Sequence, residues 1–417
     1  MNSFIIKDIR LFDGDKVVEN SSVRVENGII TEVGDNASKD GTPVISKPGH
    51  TLVPGLIEAH CHPYDNVKLP EQCFRFGITT LMDMHNVHEH AVQQKQWARE
   101  RTDFPDIKSC HYAATISGGW PAFVEKKLSK DGHEKFDKYP NIATEADAEA
   151  YIARSLQDGA DYIKLMHEVG TAIGIPPGLI AQPTESVQAA VVRAAHQKGL
   201  KVIAHALSRK DTLEVLRAGV DGLAHTFFDE PITPQVIELY RRNRAWCTPT
   251  LGCSGSMTGE SLNIVKQFSE DPRVRSRVLD TDVQVMQHCM HLKADTARWD
   301  YAIDSVRQLR AAGVQIVTGS DSAPGAPGLV FGVNLHIEMF LLVHKAGMTP
   351  LEVLKSTTSV TADAFGWSDR GRIGPGLKAD LVLVEGNPMV DITDMLNIRG
   401  IWRDGVKFEG HEGFPLS

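Results

Sequence analysis

The most constraining feature of this chain is a long alternation of short apolar runs with amphipathic stretches of helical length, the pattern of parallel strands joined by crossover helices. Eight runs fit: Leu56–His60, Ile78–Asp83, Ile107–Thr115, Tyr162–Met166, Val202–His205, Gly222–His225, Ala245–Thr250 and Val314–Gly319. Eight strand–helix units predict an α/β fold, a (β/α)8 TIM barrel over residues 55–366. The 417 residues exceed one average domain of about 150, and a large barrel absorbs most of them. Two connections are too long to be simple, 117–143 after the third run and 251–295 after the seventh. Both follow strand C-terminal ends, which makes them candidate lids over a site.

The two ends have a different texture. Residues 1–54 carry the short β segments Phe4-Ile5-Ile6, Val17-Val18, Val23-Arg24-Val25 and Ile29-Ile30, with Asp13-Gly14 and Asn27-Gly28 as hairpin signals. After residue 366 the pattern returns in Leu381-Val382-Leu383-Val384 and Gly400–Val406, again with a turn dipeptide. Residues 1–54 plus 367–417 are therefore expected to share one small composite β domain, sandwich-like, beside the barrel.

Composition removes several classes. Against 53 Asp+Glu stand 44 Lys+Arg, a formal charge of −9, so no basic excess points to nucleic acid or an anionic membrane. No run approaches the roughly 18 apolar residues of a membrane span. Lys7, Asp8 and Arg10 interrupt the apolar stretch that a signal peptide needs. Six scattered cysteines without a CxxC pair read as reduced thiols. A cytoplasmic protein acting on a small molecule is the expectation.

The first barrel run ends in Glu58-Ala59-His60-Cys61-His62, and two residues two apart on a strand project to one face. The histidines can therefore grip one ion, with Cys61 turned away. Other runs end in Asp83, Lys164, His205, His225 and Gly319-Ser320-Asp321. In a barrel, strand C-termini meet at one mouth. Taken singly, Lys164 reads as a solvated strand-end lysine pairing with Asp161 or Glu168, and Asp321 as a helix cap; the ordered set favours metal ligation.

This set resembles that of the amidohydrolase superfamily: Val53-Pro54-Gly55-Leu56-Ile57 before His60-x-His62, then Lys164, His205, His225 and Gly-Ser-Asp321. The resemblance runs nearly end to end. Gly376–Val382, Asn334-Leu335-His336-x-Glu338 and Met348–Leu354 look most similar to its imidazolonepropionase-like and Xaa-Pro-dipeptidase-like branch, which includes mycotoxin amidases. The resemblance implies two divalent ions, zinc by donor chemistry, and N6-carboxylysine at Lys164 bridging them. It places His60, His62, Lys164 and Asp321 on one ion and Lys164, His205 and His225 on the other. A metal-bridging hydroxide would attack, with Asp321 orienting it, taking its proton and handing it to the leaving group. Homo-oligomers are common in the superfamily, which sets the same expectation here.

Several further residues are candidates for the substrate. His85 is near the mouth, His88 and His90 read as surface groups, and His111, inside the third run, either polarises a substrate carbonyl or packs. His167, on the loop leaving the Lys164 run, either polarises a substrate carbonyl as a catalytic group or packs. His336 and Glu338 fall in an apolar helical stretch and read as packing. Relatives in this branch often carry a further histidine where this chain has Leu207, and Gly-Gly-His where it has Gly118-Gly119-Trp120. Trp120 supplies a stacking surface for a ring-containing substrate. Arg209 or Lys210 would suit a substrate carboxylate.

The expectation is a metal-dependent hydrolase of a C–N bond outside linear peptides: an N-acyl amino acid, an aryl amide or a cyclic amide. A lactonase or esterase on the same site, a mononuclear imidazolonepropionase- or deaminase-like enzyme, and a non-catalytic scaffold are the alternatives.

Overall fold

A computed structural model describes residues 3–34, 41–122 and 139–410. The chain begins with β1 (Phe4–Phe12), β2 (Val17–Glu26), β3 (Ile29–Val33), β4 (Val44–Ser46) and β5 (His50–Pro54). Seven more strands follow: β6 (Leu56–Cys61), β7 (Ile78–Asp83), β8 (Asp106–Ser109), β9 (Ile163–Met166), β10 (Val202–His205), β11 (Gly222–Ala224) and β12 (Trp246–Thr248). The last three are β13 (Leu381–Glu385), β14 (Ile398–Arg403) and β15 (Val406–Lys407).

Strands from both chain ends form one sheet in the order β15-β14-β13-β5-β1-β2-β3, with β4 paired to β1. Its seam is β5, parallel to β1 and antiparallel to β13, with Val53 opposite Val382. The hairpin dipeptides fold as their residues require. Asn27-Gly28 and Asp404-Gly405 have positive φ at both positions (52° and 85°; 48° and 72°), the conformation of a two-residue type I′ turn. Phe4, Ile6, Leu11, Val23, Leu52, Leu381 and Trp402 fill the core of this sheet. Gly55 links it to β6 where Thr79 crowds the backbone; a Cβ there would lie 2.0 Å from the Thr79 hydroxyl oxygen.

The central strands are parallel and form two arcs, β6-β7-β8 and β12-β11-β10-β9. Helices His88–Glu100, Glu145–Gln157, Glu185–Gln197, Arg209–Ala218 and Pro234–Asn243 alternate with them. Isolated bridges join the arcs: Ala114 to Leu165 at one side, Cys247 to Ile316 and Cys61 to Ser322 at the other. The expected eighth strand, Val314–Gly319, is thus not a ladder strand, and hydrogen bonding is not continuous around the ring. Its backbone bonds to β12 and to β6 (Val317 N to Cys247 O, 2.9 Å; Ala59 N to Thr318 O, 3.3 Å). Side-chain contacts accompany the irregular segment: Thr318 and Ser356 hydroxyls meet at 2.7 Å, Ser320 accepts from the Ser322 amide, and Asp321 turns left-handed at φ 57°. The third run is likewise shorter than expected, ending at Ser109 rather than Thr115.

The 251–295 connection is not a loop. It folds as helices Leu251–Thr258, Leu262–Glu270, Pro272–Arg275 and Asp280–Val285 packed over the strand ends. Of the 117–143 connection, residues 123–138 lie outside the described residues. Among the described residues no helix is long and apolar enough to cross a membrane. All six cysteines are buried and unpaired.

Candidate metal centre and active site

The six ligand-type residues converge where the strand ends meet. Alternation along β6 sends His60 and His62 to one side, while Cys61 faces away, its thiol 3.5 Å from Met82 O. His60 Nε2 and His62 Nε2 lie 3.2 Å apart and 3.1 and 3.3 Å from Asp321 Oδ1. Lys164, with no exposed surface, brings Nζ to 3.5 Å from His60 Nε2. His225 packs between His60 and His205, ring centroids 4.8 and 4.7 Å away.

Second contacts fix these groups. The Thr250 hydroxyl bonds His225 Nδ1 at 2.8 Å. His205 Nε2 faces Glu168 Oε2 at 3.3 Å, and Glu168 is itself anchored by the amides of Gly170 and Leu207. Glu58 Oε1 accepts from the amides of His60 and Ser320, joining the first and eighth segments. His225, Thr250 and Asp321 all hold left-handed backbone (φ 79°, 50° and 57°), a region that non-glycine residues populate sparsely.

The donor set fits a divalent ion. An ion with bonds of about 2.0 Å in tetrahedral geometry places its ligand atoms about 3.3 Å apart, and the His60–His62–Asp321 triangle has edges of 3.1–3.3 Å. Burial, reinforced by Lys164, pushes His60 down to about 3, so its imidazole is neutral, as a ligand must be. Burial also lowers the Lys164 amine to about 8, which puts the CO2-reactive free base within reach near neutrality. Burial alone would raise the Asp321 carboxyl, but His60 and His225 beside it hold it well below the carboxylate range.

Above this cluster opens a cavity of about 390 Å3. Trp120 lines it, as do His85, Met166, Met257 and Leu329. Trp120 stacks on His205. His85 accepts the Ala113 amide on Nδ1, so Nε2 carries the proton toward the Tyr139 hydroxyl at 2.7 Å.

Several expected site residues lie elsewhere. Lys164 and Met166 face the cavity, so alternation turns His167 outward, where it meets Glu214 Oε2 at 2.7 Å and Gln188 Nε2 at 3.2 Å. Arg209 begins the helix Arg209–Ala218 and is held by Glu230 and by Pro231 O, leaving no guanidinium for a substrate in the cavity. Leu207, expected to face substrate, packs in the apolar core and gives its amide to Glu168. Lys210 pairs with Glu214 at 3.7 Å. His88 and His111 pair with each other at 3.2 Å beside a second cavity. His336 and Glu338 are structural, bonding Phe76 O and the amides of Leu251 and Gly252.

Sequence reading missed Cys253, whose thiol donates to Asp321 Oδ2 at 3.1 Å, and Tyr64, stacked on His62. Both line the cavity. The four-residue spacing of Cys253 and Met257 was the available signal, since on a helix it points both side chains one way.

The amidohydrolase family model matches residues 51–407. The chain belongs to the amidohydrolase family. This amidohydrolase is 26% identical to ochratoxinase of Aspergillus niger over 270 residues, 62% of its own length and 48% of the relative, so it spans about half of that protein. Imidazolonepropionase of Deinococcus deserti is 33% identical over 104 residues, covering 24% of this chain and 25% of the relative. Among solved structures, a Xaa-Pro dipeptidase with methionine bound in its active site matches this amidohydrolase with a TM-score of 0.75 at 22% identity, over 98% of this chain and 100% of the other. The A. niger ochratoxinase structure matches at 0.72 and 19%, over 98% and 96%. At these identities the structural likeness is one of fold, the TIM-barrel fold of amidohydrolases.

Proposed function

We propose that this amidohydrolase hydrolyses the C–N bond of a small amide outside linear peptides: an N-acyl amino acid, an aryl amide or a cyclic amide. The observation that carries the reading is the convergence of His60, His62, Lys164, His205, His225 and Asp321 beneath one apolar cavity. Two divalent ions, zinc by donor chemistry, would be held by these six residues with Lys164 as N6-carboxylysine, supplying a water of lowered pKa and polarising the carbonyl. Asp321 would be the proton carrier, taking the proton of the attacking water and returning it to the leaving nitrogen. Trp120, Met166, Met257 and Leu329 seat an apolar or ring-bearing group and keep bulk water from the carbonyl. His85, a neutral imidazole on the same wall, gives its Nε2–H to the Tyr139 hydroxyl. Placement away from the cavity leaves His167 and Arg209 without a proposed substrate role.

The same constellation would open a lactone, so matched amide and lactone substrates separate those reactions. A mononuclear centre is the second reading, favoured by the tight group His60, His225 and Asp321, whose ligand atoms lie within 4.8 Å of one another. Closure of the ring into a full (β/α)8 barrel over 55–366, and a separate β domain of 1–54 plus 367–417, belong to this proposal, as do a cytoplasmic location, suited to six unpaired thiols, and homo-oligomerisation.

Metal content per chain, measured by mass spectrometry after purification with bicarbonate and without chelator, tests the reading. At least two equivalents, falling sharply in Lys164→Ala together with loss of amide turnover, is the expected result. One equivalent indifferent to Lys164 but lost in Asp321→Asn selects the mononuclear centre, and full activity in Lys164→Ala rejects the binuclear mechanism.

A further inference from the structure

Outside the cavity, on the far side of β9, a second constellation joins the strand exit to the helix Arg209–Ala218. His167 Nε2 lies 2.7 Å from Glu214 Oε2 and 3.6 Å from Asp211 Oδ1. The ligand-type atoms of His167, Asp211 and Glu214 all fall within 4.8 Å of one another. Asp211 and Glu214 sit three apart on one helix, which puts both carboxylates on the same face.

The hydrogen-bond account of this cluster does not close. The other imidazole nitrogen, Nδ1, lies 3.2 Å from the Gln188 side-chain amide, and Nε2 faces Glu214; with the amide oxygen turned to Nδ1–H, Nε2 presents its lone pair to an ion. Asp211 is fully buried, and its Oδ2 accepts from the Val169 amide, but its Oδ1 has no donor. A buried carboxylate oxygen without a donor is costly. Lys210 reaches Glu214 from solvent at 3.7 Å, and among the described residues no Lys or Arg pairs with Asp211. Burial and the neighbouring Glu168 charge push the Asp211 carboxyl up to about 7, the response expected where a positive charge is lacking.

We propose that His167, Asp211 and Glu214 form a separate binding site for one small divalent cation of the zinc or manganese kind, with His167 Nε2, Asp211 Oδ1 and Glu214 Oε2 as ligands. One imidazole and two carboxylates suit such an ion, and the two His167 distances bracket the ligand spacing that bonds of about 2.0–2.2 Å require. Glu214, partly exposed, gives the ion its entry. The site is tied to the candidate centre through Glu168, which follows His167 in the chain and faces His205. An ion here fixes the β9 exit against the helix that follows β10 and so steadies the carboxylate behind His205.

The test is zinc content per chain in full-length wild type, Glu214→Gln, Asp211→Asn and Lys164→Ala, paired with Mn2+ electron paramagnetic resonance on separate samples stripped of metal and loaded with Mn2+ alone. Glu214→Gln and Asp211→Asn are each expected to hold about one equivalent less zinc than wild type and to lose the isolated-ion Mn2+ signal that wild type and Lys164→Ala retain. Wild-type metal content and Mn2+ signal in both carboxylate variants would overturn the site. Should Asp211→Asn fail to fold by circular dichroism, Glu214→Gln, at the partly exposed position, decides alone. The two readings fail separately: loss of zinc only in Lys164→Ala rejects this site and leaves the catalytic centre, and loss only in the carboxylate variants does the reverse.

Discussion

Trp120 lies flat against His205, ring centroids 5.1 Å apart and planes 19° from parallel. The indole therefore packs a proposed ligand and lines the cavity at once. Trp120→Ala is expected to raise KM for an aryl amide by roughly tenfold, the scale of one aromatic contact, with a smaller effect on kcat. Equal loss on aliphatic and aryl amides would place its role in holding His205 instead.

Thr250 pins the His225 ring through a 2.8 Å bond. Thr250→Val keeps the shape and removes the hydroxyl, so metal affinity should fall about 10- to 100-fold, as when outer contacts of metal-binding histidines are removed. Competition with a chromogenic chelator reads this without any substrate.

Glu338 anchors the helix Leu251–Thr258 by accepting the Leu251 and Gly252 amides, both at 2.8 Å. Glu338→Ala leaves two buried N–H groups unpaired and a void, a cost of about 3 kcal/mol. Thermal unfolding should show a lowered midpoint, with Glu338→Gln recovering only part of it, because its single amide oxygen accepts one of the two N–H groups and its NH2 meets the other. An unchanged midpoint in Glu338→Ala would show that the helix is held by packing alone.

Asp380 lies buried in the composite sheet, where its Oδ1 accepts the Asp404 amide, and burial pushes its carboxyl up to about 6. In the unfolded chain the group ionises near 3.9, so between about pH 4 and pH 6 the unfolded state binds fewer protons and stability falls as pH rises. Asp380→Asn removes that slope while keeping an acceptor for Asp404. Relative to wild type, the variant should gain on the order of 2 kcal/mol between pH 4 and pH 7 in denaturant titrations. A constant difference across that range would contradict the assignment.

Much of this was legible in the chain itself. Hairpins at Asn27-Gly28 and Asp404-Gly405 are dictated by residues that tolerate left-handed backbone. His60 and His62 share a side because a strand has period two, and Asp83, Lys164 and His205 all fall at or near strand C-terminal ends. What escaped depended on direction rather than position. His167 follows the strand of Lys164 by one residue too many to face the cavity, and Arg209 lies at the start of a helix whose surface partner, Glu230, is remote in sequence.

Sequence by itself determined the strand–helix alternation, the turn dipeptides and the order of the ligand-type residues, because these follow from side-chain periodicity and local backbone preference. Tertiary structure alone decided that 251–295 is a helical cover bringing Cys253 to Asp321, that Glu168 stands behind His205, and that His167 meets Asp211 and Glu214. Those pairs are 68, 37, 44 and 47 residues apart; packing between elements sets such contacts, and no local pattern encodes them.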